Sequence, residues 1–195
     1  MQIVIGITGG TGCGKTTALR ALEELGVRVI DCDALYHELL QKSTAMLQAI
    51  DEAFPGVVQN GILQRKLLGQ RVFSDKASLD ILNRTVWPFV YQAVEQELLA
   101  VSPAPCAIDA IGLFESGLSN LCTHTAAITA PEEARVKRLM ARDNISEDYA
   151  RLRIQAQMKN EEFAAKCGIV LDNHFPTEEA FRQYAKETWK EKIKL

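Results

Sequence analysis

Short apolar runs alternate with stretches of helical periodicity along most of the chain. Ile3-Val4-Ile5-Gly6-Ile7 has the length of a buried strand. Val27-Arg28-Val29-Ile30 ends at Asp31, and Cys106-Ala107-Ile108 ends at Asp109. Thr125-Ala126-Ala127-Ile128-Thr129 and Gly168-Ile169-Val170-Leu171 complete the series. Between and after these runs, apolar residues recur at helical spacing. Ala18, Ala21, Leu22 and Leu25 follow the first run, and Phe181, Tyr184, Ala185 and Trp189 follow the last. Apolar strands separated by helices predict an α/β fold, with a parallel five-stranded sheet covered by helices on both faces.

Residues 34–101 depart from this alternation. They contain no convincing strand and read as a helical block, in which Leu82, Val86, Val90, Val94 and Leu98 recur every four residues. Trp87-Pro88 is expected to break that stretch, because proline disfavours helical geometry in the residue before it. Pro88 would then open a second helix. The expected organisation is a core of residues 1–33 and 102–195, with an α-helical insertion over 34–101, to which the family resemblance drawn from the motifs below assigns acceptor binding. Pro131 before Glu132 and Glu133, and Ser146 before Glu147 and Asp148, mark two helix starts. They predict a lid helix pair at about 138–158. Thr177 caps the last helix, whose lysine-rich end (Lys186, Lys190, Lys192, Lys194) is expected to be a solvated, fraying face.

Bulk properties narrow the function classes. A chain of 195 residues, 47% hydrophobic and 24% charged, fits one soluble domain with an insertion. The net charge of −3 supplies no electrostatic footprint for nucleic acid. No apolar run has the length of a membrane span. The first strand begins at the N-terminus, so no signal peptide is expected. Five cysteines without C-x-x-C spacing indicate neither disulfides nor zinc, and a reducing cytoplasm is the expected compartment. Neither nucleic acid nor membrane is an expected partner, the chain is expected to be a monomer or weak homo-oligomer, and a small-molecule acceptor is what the family resemblance drawn from the motifs below implies.

The segment that turns this outline into chemistry is Gly9-Gly10-Thr11-Gly12-Cys13-Gly14-Lys15-Thr16. It satisfies the phosphate-binding pattern of Gly, four residues, then Gly-Lys-Ser/Thr, and it lies between a strand and a helix as that pattern requires. Its glycines let successive N–H groups point at one concavity, and the following helix adds its positive dipole end. Lys15 is expected to reach the β- and γ-phosphates of a nucleoside triphosphate, and the Thr16 hydroxyl to hold Mg²⁺. Cys13 sits where a helix N-terminus lowers a thiol pKa, although it reads more simply as a tolerated small residue.

Ligands of open α/β sheets bind outside the carboxyl ends of the strands, where Asp31, Asp33 and Asp109 lie. Asp31 or Asp33 is placed to accept a hydroxyl proton, and Asp109 to orient Mg²⁺ through water. The competing reading is that these aspartates only cap helices. Arg135, Arg138 and Arg142 share one helix face, either as a solvated surface or as a lid supplying arginines to a moving phosphoryl group. His37, His124 and His174 show no ligand or nucleophile–base spacing. The guanine-reading Asn-Lys-x-Asp pattern is absent, which disfavours GTPase switching.

With these residues in view, the chain resembles the dephospho-coenzyme A kinases, a family of the P-loop nucleoside-kinase class. The resemblance spans nearly the whole length. Besides the loop, it rests on Val29-Ile30-Asp31-Cys32-Asp33, Leu67-Leu68-Gly69-Gln70-Arg71-Val72-Phe73, and Leu113-Phe114-Glu115-Ser116-Gly117-Leu118. It continues through Arg138-Leu139-Met140-Ala141-Arg142-Asp143, Arg153-Ile154-Gln155-Ala156-Gln157 and Asp172-Asn173. It implies transfer of a phosphoryl group from MgATP to the ribose 3′-hydroxyl of dephospho-coenzyme A. It implies catalytic roles for Asp33 as general base, Lys15, and Arg142 from the lid. Nucleotide contacts would come from Gly10, Thr11, Gly12, Cys13, Gly14, Lys15, Thr16, Thr17, Arg138 and Arg142, with Asp172 and Asn173 near the adenine. Acceptor contacts would come from Asp31, Asp33, Arg65, Asp109, Leu113 and Glu115, and metal contacts from Thr16 and Asp109. This chain has Trp87-Pro88 where the family has His-Pro, and Gln64-Arg65 where it has Asp-Arg. The residues alone also admit a kinase for another nucleotide-like hydroxyl, or a nucleotide-binding regulator without turnover.

Overall fold

The computed structural model describes residues 2–72 and 75–194, so Phe73 of the Leu67–Phe73 segment lies outside the described residues. The chain opens with β1 (Val4–Thr8), α1 (Lys15–Glu23), β2 (Arg28–Asp31), α2 (Cys32–Lys42) and α3 (Thr44–Ala53). It continues through β3 (Val58–Gln59), β4 (Ile62–Leu63), α4 (Arg65–Val72), α5 (Lys76–Val101) and β5 (Cys106–Asp109). A short 3₁₀ turn (Leu118–Leu121) leads to β6 (His124–Thr129), α6 (Glu132–Asp143), α7 (Glu147–Gln155), α8 (Asn160–Lys166), β7 (Ile169–Asp172) and α9 (Glu178–Ile193).

The five long strands form one parallel sheet in the order β2-β5-β1-β6-β7. Every residue of β1 is buried, as its unbroken apolar run predicts for a central strand. One face of the sheet packs on α1 and α9 through Leu22, Phe181, Ala185 and Trp189, and the Trp189 indole donates to the Ala18 carbonyl at 3.0 Å. The opposite face packs on α5 through Val90, Val94 and Leu98. Residues 40–86 hold a separate apolar cluster built on Met46, Ile50, Val57 and Leu82.

Two expectations for the helical block need correction. First, Pro88 does not start a helix. It lies inside the single 26-residue α5. An interior proline costs about 3 kcal/mol. Leu82, Val86, Val90, Val94 and Leu98 are all buried along this helix, and each contributes about 1.5–3 kcal/mol. Packing along one continuous face therefore outweighs the proline, which sits on the exposed side. Second, the block contains a β-hairpin, β3–β4. Asn60 and Gly61 form its turn with φ of 52° and 74°, the left-handed pair that a two-residue I′ turn requires.

Strand register brings the chemistry together. Asp31 stands opposite Asp109, and Asp109 opposite Ile7, at the carboxyl ends of neighbouring strands. The chain reverses its direction of growth at β1, whose neighbours are β5 and β6. That is the topological switch point at which such sheets bind ligands.

Candidate active site

The loop from Gly9 to Gly14 takes the shape its glycines allow. Gly12 and Gly14 have φ of 77° and 99°, a region that side chains rarely enter. Gly14 ends the loop as the residue before α1, so the first turn of that helix faces the loop concavity. Gly10 is needed for space. A Cβ there would collide with the Arg135 guanidinium.

Protein contacts hold the loop from behind. The buried Asn173 side chain donates from Nδ2 to the Cys13 carbonyl at 2.9 Å. Arg138 Nη1 donates to the carbonyls of Gly12 and Cys13 at 3.1 and 3.3 Å. The Thr11 peptide is gripped on both sides: its N–H donates to Gln157 Oε1 at 2.7 Å, and its carbonyl accepts from Arg135 Nε at 2.9 Å. Gln157 follows α7, so the segment after that helix and the loop are directly connected.

Lys15, the first residue of α1, forms an ion pair with Asp109 at the end of β5. Burial pushes the Asp109 carboxyl above the usual carboxylate range, and the Lys15 ammonium opposes that shift. Thr16 is exposed on the first turn of α1. Asp31 caps α2, its Oδ1 accepting from the N–H groups of Asp33 and Ala34 at 2.9 and 3.0 Å. Asp33 differs from Asp31. Its exposed carboxylate has no side-chain partner among the described residues, and it lines a cavity of about 250 Å³. The other walls of that cavity include Tyr36, Asn83, Trp87, Ile111 and Ser116. Cys32 also lines it, but burial, reinforced by the charges of Asp109, Asp31 and Asp33, pushes its thiol up to about 12. It is not a nucleophile at neutral pH.

The structure redistributes several expected contacts. Cys13 is buried, and burial raises its thiol pKa instead of lowering it. Thr17 is buried, and its hydroxyl donates to Glu178 at 3.2 Å, tying α1 to α9. Asn173 backs the loop and does not present its side chain to the outer surface. Leu113, expected among the acceptor contacts, is fully buried in the sheet core, packed where Gly6 leaves room for it. Glu115 is exposed and pairs with Lys166 at 3.1 Å. Arg65 opens α4, and its charge reaches Tyr36 on the cavity wall. Arg142 points away from the loop and makes a two-pronged pair with Asp143 at 2.7 and 2.9 Å. Asp172 is exposed and accepts from Thr129 Oγ1 at 3.0 Å. Sequence reasoning did not single out Gln157 as a loop contact, or Asn160, which holds Arg135 and the Ala130 carbonyl. Both belong to the segment after α7, and nothing in their spacing points to the loop. Among the described residues, no three His, Cys, Asp or Glu side chains cluster as a metal site, and no helix is long and apolar enough to cross a membrane.

Comparison with known proteins supplies an independent view of the same site. The family model described as CoaE, dephospho-CoA kinase, matches residues 3–179. A dephospho-CoA kinase of Dehalococcoides mccartyi is 37% identical over 176 residues, covering 88% of each chain. One from Geobacter sulfurreducens is 36% identical over 191 residues, covering 95% of this chain and 96% of that protein. The solved dephospho-CoA kinase from Campylobacter jejuni superposes with a TM-score of 0.69 at 26% identity, over 98% of this chain and 97% of its own.

Proposed function

Because the chain belongs to the dephospho-CoA kinase family, we propose that it transfers the γ-phosphoryl group of ATP to the ribose 3′-hydroxyl of dephospho-coenzyme A, giving coenzyme A and ADP. The observation that carries the acceptor side is the Asp33 carboxylate. It has no side-chain partner among the described residues and faces the cavity, while Asp31 beside it is engaged in capping α2.

In this reading the loop amides and the dipole end of α1 cradle the β- and γ-phosphates. Lys15 leaves Asp109 for the incoming phosphates, which offer a fuller negative charge than one carboxylate. The acceptor hydroxyl enters the cavity and gives its proton to Asp33. Its oxygen forms the new bond to the γ-phosphorus as the bond from that phosphorus to the β,γ-bridging oxygen breaks. The leaving oxygen carries its charge away on ADP, stabilised by Lys15 and the loop N–H groups. Arg142 is exposed and contributes only after exchanging Asp143 for the nucleotide.

The residues present suit Mg²⁺. Thr16 offers an exposed hydroxyl on the first turn of α1, and Asp109 becomes available when Lys15 departs. The ion would neutralise phosphate charge, and because no carboxylate cage forms among the described residues, substrate oxygens and water would supply most of its ligands. Free thiols at Cys13, Cys32, Cys106, Cys122 and Cys167 suit a reducing cytoplasm.

A coupled assay for ADP, run with dephospho-coenzyme A and with a panel of nucleosides, tests the proposal. Phosphorus NMR of the product reads the position of the new ester. ADP release with dephospho-coenzyme A and a 3′-phosphate in the product are expected. Turnover with another nucleoside but not with dephospho-coenzyme A would overturn the acceptor assignment.

A further inference from the structure

Arg135 is the least expected charge in the molecule. It lies on the inner face of α6 with a relative exposure of only 3%. All its hydrogen-bond partners are neutral. Nε donates to the Thr11 carbonyl at 2.9 Å, and Nη1 makes a long contact to Asn160 Oδ1 at 3.4 Å. Nη2 is buried with no hydrogen-bond partner among the described residues and fills the space that a Cβ on Gly10 would need. Among the described residues, no carboxylate forms an ion pair with it, and the Glu132 carboxylate on the same helix acts on it only through space. Lys15, only five positions after Gly10, has Asp109 for that purpose.

A buried guanidinium without a counter-charge is strongly unfavourable, and apolar residues of similar size are often better tolerated at such a site. A clamp for the Thr11 carbonyl needs only a neutral donor, which an amide would supply. The positive charge therefore calls for a separate reason. Its position offers one. The guanidinium sits directly behind the loop at Gly10, and the backbone of Arg135 packs against Gly12. The charge is almost completely withdrawn from solvent. An anion seated on the other side of the loop acts across a few ångströms of low-dielectric protein, where attraction is stronger than in solvent.

We propose that Arg135 is a positioning residue of the nucleotide site. Its buried charge acts through the phosphate loop, and the bound polyphosphate supplies the counter-charge that no ion-paired carboxylate gives it among the described residues. Arg135 also holds the Thr11 peptide against rotation, together with Gln157. The neutral part of that role and the charged part are separable. The clamp serves any ligand that needs the loop in this shape. The charge favours ligands in proportion to the number of phosphates they carry.

The test is calorimetric binding of ATP, ADP and AMP to the full chain, without acceptor, for wild type, Arg135→Lys, Arg135→Gln and Arg135→Met. The neutral variants are expected to weaken ATP about 10-fold, ADP by less, and AMP by less than about 2-fold. Lys, which keeps the charge, is expected to stay within about 3-fold of wild type for ATP. The melting temperature of the ligand-free Met variant is expected to equal or exceed that of wild type, because an uncompensated charge has been removed. Equal weakening of all three nucleotides, or a Lys variant as weak as Met, leaves only the clamp and overturns the proposal. If the Met variant does not fold, the Lys and Gln variants decide the matter by the same criterion. The inference rests on ATP being the donor. Failure of the wild type to bind ATP would sink that assignment and this one together, whereas uniform weakening among the variants sinks this one alone.

Discussion

Asp31 and Asp33 lie two residues apart, yet their surroundings predict opposite consequences of mutation. Asp31 accepts two backbone N–H groups at 2.9 and 3.0 Å, whereas Asp33 meets only the cavity. Asp33→Asn preserves shape and removes the proton acceptor. A general base contributes about 10²–10⁴-fold, which is about 2.7–5.4 kcal/mol of transition-state stabilisation. Turnover should fall by that factor, with ATP affinity and melting temperature unchanged, because no hydrogen bond within the protein is lost. Asp31→Ala removes the cap of α2 and should destabilise by about 0.5–2 kcal/mol. For a domain of this size, each kcal/mol is worth about 2–4 °C, so the melting temperature should drop by about 1–8 °C. Asp31→Asn keeps a capping oxygen and should restore most of that loss. The assays are steady-state ADP release and calorimetric melting on the three variants. A silent Asp33→Asn beside a crippled but fully stable Asp31→Asn would refute the assignment and exchange the two roles.

Further outcomes follow from the same geometry. Lys15→Met removes one charge-assisted phosphate contact and should weaken ATP binding by about 1.5–3 kcal/mol, read by titration calorimetry; unchanged affinity would mean that the loop does not seat the phosphates. Trp87 lines the Asp33 cavity, so Trp87→Ala should raise the acceptor KM by the worth of one stacked base, about 1–3 kcal/mol, while leaving the ATP KM alone. Trp87→Phe should behave nearly as wild type, and parallel changes in both KM values would count against an acceptor-side role. Asp143 is held down to about 2, first by its hydrogen bond from Arg142 and then by Arg153. Its folded-state pKa lies below the unfolded value of about 3.9, so its stabilisation is complete above that value and fades as pH falls towards 2. The difference in melting temperature between wild type and Asp143→Asn should therefore be constant above about pH 5 and shrink steadily below it; a difference that persists undiminished at pH 2 would contradict the pairing.

Local order in the chain was enough to announce the strand–loop–helix unit at Gly9–Thr16 and the parallel sheet. Both announce themselves in local patterns: apolar runs of strand length, glycines at positions of left-handed φ, and helical periodicity. The hairpin at Asn60-Gly61 was equally local and was overlooked because its strands are only two residues long, too short for alternation to register. The continuity of α5 was a different matter. Whether Pro88 breaks the helix depends on how much apolar surface the flanking turns bury, and that surface belongs to other parts of the chain.

The site divides in the same way. Lys15 and Thr16 point to phosphate binding by their spacing alone, whereas spacing leaves Asp31 and Asp33 as alternatives and only the family resemblance favours Asp33. The structure adds a physical difference between them: α2 forms with Asp31 accepting two of its backbone N–H groups. Leu113 and Asn173 sit in segments that carry the family resemblance, but their direction is set by the sheet and by the back of the loop. Arg135 shares a helix face with Arg138 and Arg142, and periodicity treats the three alike. The packing of α6 on the phosphate loop buries the first, lays the second along the loop carbonyls and leaves the third in solvent paired to Asp143. Helical spacing specifies which residues share a face, while the depth of each residue on that face depends on the tilt of the helix against its neighbour, which only the assembled core determines.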